Sequence, residues 1–415
     1  MRTAVVVGSG AREHAIAWGL RRDNIDVTVT PGNAGMSAGG LRCTTASPVD
    51  LDADLFVIGP EVPLVAGLAD TLRNQGKDVF GPGADGAQLE GSKAFLKKFL
   101  ADANVATAAY GAFTDQEEAV RYLRTMTPPY VIKTDGLAAG KGVLVTESLA
   151  DAEADVREKL SGAAFGLAGT TVVIEEGLRG DECSLLVMTD GQRVIPLVPA
   201  RDYKRVGNND EGPNTGGMGA FAPLDISSST LEKTMNSIIE PTMRELRRRS
   251  IDFRGVLYAG LMVTADGPKL LEYNVRFGDP ETEVIIPLAT ERLFDSLRDA
   301  ARGHLVEGPT FSKKSCATVV LAARGYPQRP ELGDVITGLG RDGQLQEPMD
   351  DVMVFHAGTK LNDQQEFVTS GGRVLMVTAL GTSLDDARRR AYAAAGQISF
   401  DGMVMRTDIA QKGTL

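Results

Sequence analysis

The sequence predicts an α/β protein in successive parts: an N-terminal doubly wound parallel sheet, a central region of paired strands, and a C-terminal α+β module. Three observations carry this. Short apolar runs alternate with helical patterns from residue 3 to residue 102, the signature of a parallel sheet wound by helices. Beyond Ala103 strands meet across loops and turns instead, as at Ala265-Asp266-Gly267-Pro268. From about Lys313 a new set begins, with strands near Cys316–Ala323, Val352–His356 and Arg373–Ala379 and a helix over Leu384–Gln397.

In the first part, Ala4–Val7, Val27–Thr30 and Leu55–Ile58 read as buried strands and Glu13–Arg21 as a helix. Each strand ends in a glycine loop: Gly8 to His14, Pro31 to Gly35 and Gly59 to Pro63. Ligands of such sheets bind beyond the carboxyl ends of the strands, so the three loops define one crevice. The first loop is GxGxxE, and Thr30 runs straight into Pro31 with no acid to hold a dinucleotide ribose. Backbone N–H groups at a helix N-terminus could hold a monophosphate, with Arg12 in support. A tight turn explains the first loop alone equally well; its repetition favours a ligand crevice. His14 is expected to pack within its helix.

In the central part, Asp115 reads as the cap of a helix over Gln116–Met126, and Tyr130–Lys133 and Val143–Thr146 as strands. Between them lies Asp135-Gly-Leu-Ala-Ala-Gly-Lys-Gly142, longer than a hairpin needs. Its glycines allow close backbone approach to phosphate, with Lys141 and Lys133 as charge; a hairpin rimmed by lysines is the plainer alternative. Thr171–Glu175 is a further strand, and Asp181–Thr189 with Arg193–Val198 a meander. Residues 201–223 show no period, and long aperiodic stretches in compact domains tend to be functional. Met218, Phe221 and the close-set glycines point to an ordered substrate loop. Thr230–Arg249 reads as an amphipathic helix with a solvated basic end, and Leu293–Ala301 as another helix.

The stretch Leu271 to Glu283 concentrates the chemistry. Alternation along the strand Lys269–Asn274 places Leu271 and Tyr273 on one face, and Glu272, Asn274 and Arg276 on the other. A carboxylate and an amide oxygen suit Mg²⁺, which takes its remaining ligands from nucleotide phosphates. Arg276 can clamp a carboxylate or phosphate through two parallel hydrogen bonds. Glu-x-Asn alone reads as a solvated strand face; the carboxylate-rich turn Phe277-Gly-Asp-Pro-Glu281 makes the stretch a site.

Composition narrows the class. The 415 residues are 43% apolar and 24% charged, ordinary for a soluble globular chain of several domains. A formal charge of −11, with no basic tract, argues against nucleic-acid binding. Cys43, Cys183 and Cys316 share no metal or disulfide spacing, which fits a reducing compartment. No apolar run approaches membrane-spanning length and no signal segment leads the chain, so the cytoplasm is the expected location.

The glycine loop between strands, the second lysine and the Glu-x-Asn strand together resemble the ATP-grasp superfamily. Gly8–His14, Pro31–Gly35, Gly59–Glu61, Leu89-Glu-Gly-Ser-Lys-Ala-Phe95, Asp135–Gly142, Gly212-Pro-Asn-Thr-Gly-Gly-Met-Gly219 and Arg276–Glu281 further resemble the glycinamide ribonucleotide synthetase family across nearly the whole chain. The resemblance implies ligation of glycine to 5-phosphoribosylamine with ATP, through a glycyl phosphate, in purine synthesis. It implies Glu272 and Asn274 as ligands of Mg²⁺ or Mn²⁺, and Lys93, Lys133 and Lys141 on the ATP phosphates. Glu175, Glu176, Leu178 and Glu182 would line the adenosine pocket, although exposed glutamates at strand ends are commonplace. Gly8, Gly10, Arg12, Glu13, Gly32, Asn33, Gly59 and Glu61 would hold the ribose 5-phosphate. Arg276, Asp279, Asn214, Thr215, Gly217 and Met218 would orient glycine or its acyl phosphate, with Lys141 and Arg276 closest to the chemistry. The implied organisation is a substrate domain over residues 1–104, a mobile lid over 105–175, a central ATP-grasp domain over 176–312 and a C-terminal domain over 313–415, acting as a monomer.

Two features depart from the family pattern. Val256–Thr264 carries no acid for a second metal site, and the connection before Leu55 is short, leaving Ser47–Asp52 where a helix is usual. An NAD-linked oxidoreductase is disfavoured by the GxGxxE spacing. A non-catalytic nucleotide binder is disfavoured by the presence of Glu272, Asn274 and Lys141. A ligase for another acid and amine is the serious alternative.

Overall fold

The computed structural model describes residues 1–136, 142–162 and 171–414. The first sheet is parallel, in the order Arg42–Cys43, Asp26–Pro31, Thr3–Gly8, Leu55–Ile58, Val79–Phe80. Its centre is apolar on both faces, with Val6, Val29, Phe56 and Val57 fully buried. The two edge strands escape sequence reading because two residues cannot show an alternation. The chain winds outward from Thr3–Gly8, then returns to its other side, so the switch point lies between the strands ending at Gly8 and Ile58. The short connection holds a helix, Ala34–Ala38, the edge strand, and a 3₁₀ turn at Pro48–Asp50.

Next comes an antiparallel sheet in the order Tyr110–Phe113, Val172–Glu176, Tyr130–Thr134, Val143–Thr146. It has a small core of its own, including Val120, Leu123, Ile132, Val156 and Ile174. Asp115 caps the helix Gln116–Leu123 by accepting from the Glu118 N–H at 2.9 Å.

The central sheet runs Val194–Pro196, Asp181–Thr189, Gly255–Thr264, Gly267–Asn274. Simple alternation fails in its last strand. Gly260 pairs with Glu272 but Leu261 pairs with Leu270, leaving Leu271 as an extra, bulged residue. Leu270 and Tyr273 are therefore the core-facing pair, and not Leu271 and Tyr273 as alternation predicts.

The C-terminal module shares its sheet with earlier parts of the chain. That sheet runs Arg201–Asp202, Gly219–Ala222, Ser315–Ala322, Arg373–Gly381, Val352–His356, so both ends of the aperiodic stretch 201–223 are built into it. Gly219–Ala222 is short and made of small residues, hence its silence in the sequence, yet all four residues are buried. The helix expected over Thr230–Arg249 runs as Ser228–Thr234, a π turn at Met235–Ile239, then Glu240–Arg248. Pro241 lacks the N–H that an unbroken helix needs near this seam. The basic end is partly paired, Arg248 and Arg249 with Glu245 and Arg249 also with Asp102. Among the described residues no helix is long and apolar enough to cross a membrane.

His14, in the helix Ala11–Arg22, does not pack against that helix alone; its side chain joins the first sheet's layer to the C-terminal strands. Its Nδ1 accepts from the His356 backbone N–H at 3.0 Å, and its ring meets Phe355 edge-on. His356 donates from Nε2 to the Gly343 carbonyl at 2.7 Å, so its Nδ1 accepts from the Thr359 hydroxyl at 2.9 Å. Burial lowers both imidazoles, His14 to about 3 with His356 adding to the effect, and His356 to about 4. The unfolded chain takes up these protons near pH 6.5 while the folded one does not, so the unfolded state binds more protons between that pH and about 4. Stability therefore falls as pH drops through this window. Urea midpoints measured from about pH 8 to about 4.5 are expected to decline, and to decline less in His14→Gln.

Candidate active site

The bulge at Leu271 lets Glu272 and Asn274 leave the core while their neighbours stay buried. Glu272 Oε1 lies 3.5 Å from the Lys204 ammonium, which is also 3.8 Å from Glu182 Oε2. Lys204 above all, and then Lys133 and Lys93, hold the Glu272 carboxyl down at about 2, against the effect of burial. Lys93 donates to the Gly136 carbonyl at 3.0 Å, and Lys133 donates to the Leu271 carbonyl at 3.3 Å. The expected lysines Lys93 and Lys133 thus converge on the Glu-x-Asn strand, while Lys141 lies outside the described residues. Lys204 was missed by sequence reasoning. Its signal was its place in a stretch without period, and its backbone shows the constraint: the Lys204 carbonyl accepts from both the N–H and the hydroxyl of Thr215.

Glu175 faces inward rather than toward an adenosine edge. Its carboxylate pairs with Lys133 at 3.0 Å and with Lys97 at 3.1 Å, because two buried ammonium groups need an anion between them. Glu176 is exposed and accepts from the Ala109 N–H at 3.3 Å. Leu178, in the loop that follows, and Glu182, on the central strand Asp181–Thr189, are half-buried.

Glu13 fills the hollow at the switch point. It accepts from the Gly10 N–H at 2.7 Å and pairs with Arg12 at 2.6 Å. A Cβ at Gly59 would lie 2.0 Å from its Oε1, and one at Gly8 would lie 2.5 Å from its carboxyl carbon. The helix N-terminus expected to receive a phosphate at Gly10 thus already has a carboxylate, which the helix dipole favours. Asn33 is similarly committed. Its Oδ1 caps Ala34–Ala38 through the Met36 N–H, and its Nδ2 donates to the carbonyls of Ser9 and His356. Gly32, with φ of +71°, packs where a Cβ would meet the Cys43 sulfur at 2.5 Å.

Arg276 is braced on three sides: Glu90 at 2.8 Å, Glu61 at 3.4 Å and the Phe277 carbonyl at 3.2 Å. Burial works against ionisation of Glu61, yet Arg276 and Arg12 hold it below the usual carboxylate range. Asp279 pairs with Arg373 at 2.7 Å, and Arg373 also donates to the carbonyls of Asp279 and Gly216. An arginine at the head of an apolar C-terminal strand was the only sequence signal for this contact. It ties the Gly216-Gly217 turn to the turn at Asp279-Pro280. Thr215 accepts at its hydroxyl from the Gly217 N–H, Asn214 bridges to Arg205, and Met218 is core, fully buried.

Glu272 and Asn274 fit a hard cation of the Mg²⁺ class. Among the described residues no three His, Cys, Asp or Glu side chains are gathered to hold a metal alone. A cation there would complete its shell with phosphate oxygens and water, as Mg²⁺ does.

Comparison with known proteins gives one consistent answer. Phosphoribosylglycinamide synthetase family models match in succession: the N domain over residues 2–90, the ATP-grasp (A) domain over 91–282 and the C domain over 316–412. A phosphoribosylamine–glycine ligase of Escherichia coli is 46% identical over 98% of this chain and 97% of its own length. That of Pseudomonas aeruginosa is 45% identical over the same shares, 98% and 97%. The crystal structure of phosphoribosylamine–glycine ligase from Thermotoga maritima matches with a TM-score of 0.85 at 36% identity, covering 98% of this chain and 99% of that one. A biotin carboxylase from Campylobacter jejuni, at TM-score 0.71 and 12% identity, shares the fold.

Gly217 has φ of +107°, and a Cβ there would lie 2.3 Å from Pro280 Cδ. Gly217→Ala is expected to cost about 1–3 kcal/mol of stability, read from urea unfolding.

Proposed function

This chain belongs to the phosphoribosylglycinamide synthetase family, and from that membership we infer that it joins glycine to 5-phosphoribosylamine with ATP, the ATP-dependent step of purine biosynthesis that yields glycinamide ribonucleotide, ADP and phosphate. The observation that carries the reading down to residues is the convergence of Lys93, Lys133 and Lys204 on the Glu272 carboxylate at the bulged strand. Ammonium groups focused on one strand face draw a triphosphate and, once it is bound, neutralise it.

The glycine carboxylate attacks the γ-phosphorus of ATP, forming glycyl phosphate as ADP leaves. The amine of phosphoribosylamine then attacks the acyl carbon, and phosphate leaves. Both nucleophiles and both leaving groups come with the substrates, so the chain's work is to bind, orient and exclude water. Four of its histidines and cysteines are withdrawn into the interior. His14 and His356 are locked at a buried joint, and burial pushes the Cys183 thiol up to about 12 and raises that of Cys316 well above its usual value. Glu272 and Asn274 would hold Mg²⁺ or Mn²⁺, which when bound bridges and neutralises phosphate oxygens.

Lys93, Lys133 and Lys141 face the phosphates in this reading, and Glu182 and Leu178 the nucleoside. Because Glu13 occupies the Gly10 N–H, the loops at Gly32 and Gly59 receive the ribosyl phosphate, with Glu13 and Arg12 as their floor. Arg276, fixed by Glu61 and Glu90, orients the glycyl group. The segment 105–175, with its own core, closes over the acyl phosphate. Every group named comes from one chain, so a monomer suffices, and consumption of ATP fits the cytoplasm.

The test is ADP formation by the purified protein, omitting each component in turn. Turnover is expected only with ATP, Mg²⁺, glycine and phosphoribosylamine together, giving a product of the mass of glycinamide ribonucleotide. ADP formed without phosphoribosylamine, or only with another acid, would assign the chain to a different ATP-grasp ligase. Glu272→Gln is expected to slow turnover about 100-fold and to weaken Mn²⁺ binding measured by electron paramagnetic resonance.

A further inference from the structure

The helix Lys93–Asp102 carries a second lysine, one turn beyond Lys93, that the proposed reaction does not use. The Lys97 side chain is 1% exposed. Its ammonium lies 3.1 Å from Glu175 Oε2, donates to the Thr107 hydroxyl at 2.8 Å, and sits 5.5 Å from the centre of the Tyr110 ring. All three neighbours belong to the segment 105–175 or to its entry.

From there the network returns to the central sheet twice. The Thr107 hydroxyl donates to the Leu270 carbonyl at 2.7 Å. Lys133, held by the other oxygen of Glu175 at 3.0 Å, donates to the Leu271 carbonyl at 3.3 Å. These two consecutive carbonyls mark the bulge that turns Glu272 out of the core. Backbone pairing adds to the contact, because the Leu270 N–H donates to the Ala106 carbonyl at 2.9 Å. A buried ammonium is costly unless it is paired and hydrogen-bonded, and Lys97 is both only while Glu175 and Thr107 hold these positions.

We propose that Lys97 is a positioning residue for phosphoryl transfer: it holds one oxygen of Glu175 so that Lys133 meets only the other, and through Thr107 it seats the base of the 105–175 segment against the bulged strand. With Lys97 present, one carboxylate is shared by two ammonium groups, and Lys133 keeps net positive charge for the triphosphate. Without it, Glu175 pairs one-to-one with Lys133 and cancels that charge. The inference rests on the ATP-dependent reading above.

Steady-state kinetics of the full chain test it. Lys97→Met is expected to raise KM for ATP about tenfold and to leave KM for glycine within about twofold. Lys97→Met combined with Glu175→Gln removes the carboxylate as well, and is expected to bring KM for ATP back to within about threefold of the parent. An unchanged KM for ATP in the single variant overturns the proposal. So does an equal rise for both substrates, or a double variant worse than the single, since these are the marks of a lysine that only stabilises the fold. If Lys97→Met does not fold, Thr107→Val breaks the same chain at a neutral atom; an increase of about threefold in KM for ATP is expected, and no increase overturns the proposal. Failure of the parent to form ADP would refute the functional reading instead, and calorimetric binding of ADP to the same variants would then still decide the role of Lys97.

Discussion

One extra residue in the strand Gly267–Asn274 decides where the chemistry can sit. Leu270 and Tyr273 are three positions apart and both face the core, a spacing that a strand of period two does not permit. Tyr273 is further fixed by its hydroxyl, which meets that of Thr242 at 2.7 Å. The bulge at Leu271 reconciles the two. Without it, either Tyr273 would be expelled or Glu272 would be driven into the apolar interior, where an isolated carboxylate is costly. With it, Glu272 emerges among lysines, and the freed carbonyl of Leu271 becomes an acceptor for one of them.

Around that strand, charge is placed by counter-charge. Lys204 answers Glu272 and Glu182, Glu175 answers Lys97 and Lys133, Arg276 answers Glu61 and Glu90, and Arg373 answers Asp279. Where the pair is buried, as between Glu175 and its two lysines, breaking one side costs more than the pair contributes, because the remaining charge is left in low dielectric. Most partners come from different elements of the fold, so the pairs also hold those elements together. The cluster of paired charges is in this way also a set of joints.

Much of this was legible in the sequence. The parallel sheet, the Glu-x-Asn strand, Lys133, the Asp115 cap and the helix Leu293–Ala301 each rest on local pattern, and local pattern is what a sequence displays; Lys93 came only with the family resemblance. What stayed hidden depends on distant parts of the chain. Lys204 has no periodic context, and Arg373 meets Asp279 only across 94 residues of chain. Glu175 looked like an edge residue until two lysines from elsewhere needed an anion. Glu13 and Asn33 looked available to a ligand because the hydrogen bonds that occupy them come from Gly10, Ser9, Met36 and His356. The bulge was invisible because alternation is read from residue types, and Leu271 is as apolar as the residues on either side of the argument.

The strand Gly219–Ala222 has its edges satisfied by Arg201–Asp202 and by Ser315–Ala322, the latter a much later segment of the chain. During synthesis the N-terminal sheet and the segment 105–175 have all their strands in hand early. Gly219–Ala222, and with it the loop carrying Lys204 and Thr215, must wait for residues made long afterwards. A nascent chain therefore holds Lys93 and Lys133 before it can close the turn at Gly216-Gly217. The cluster around Glu272 is complete only once the last sheet has formed, because Lys204 is held in place by that sheet's own turn.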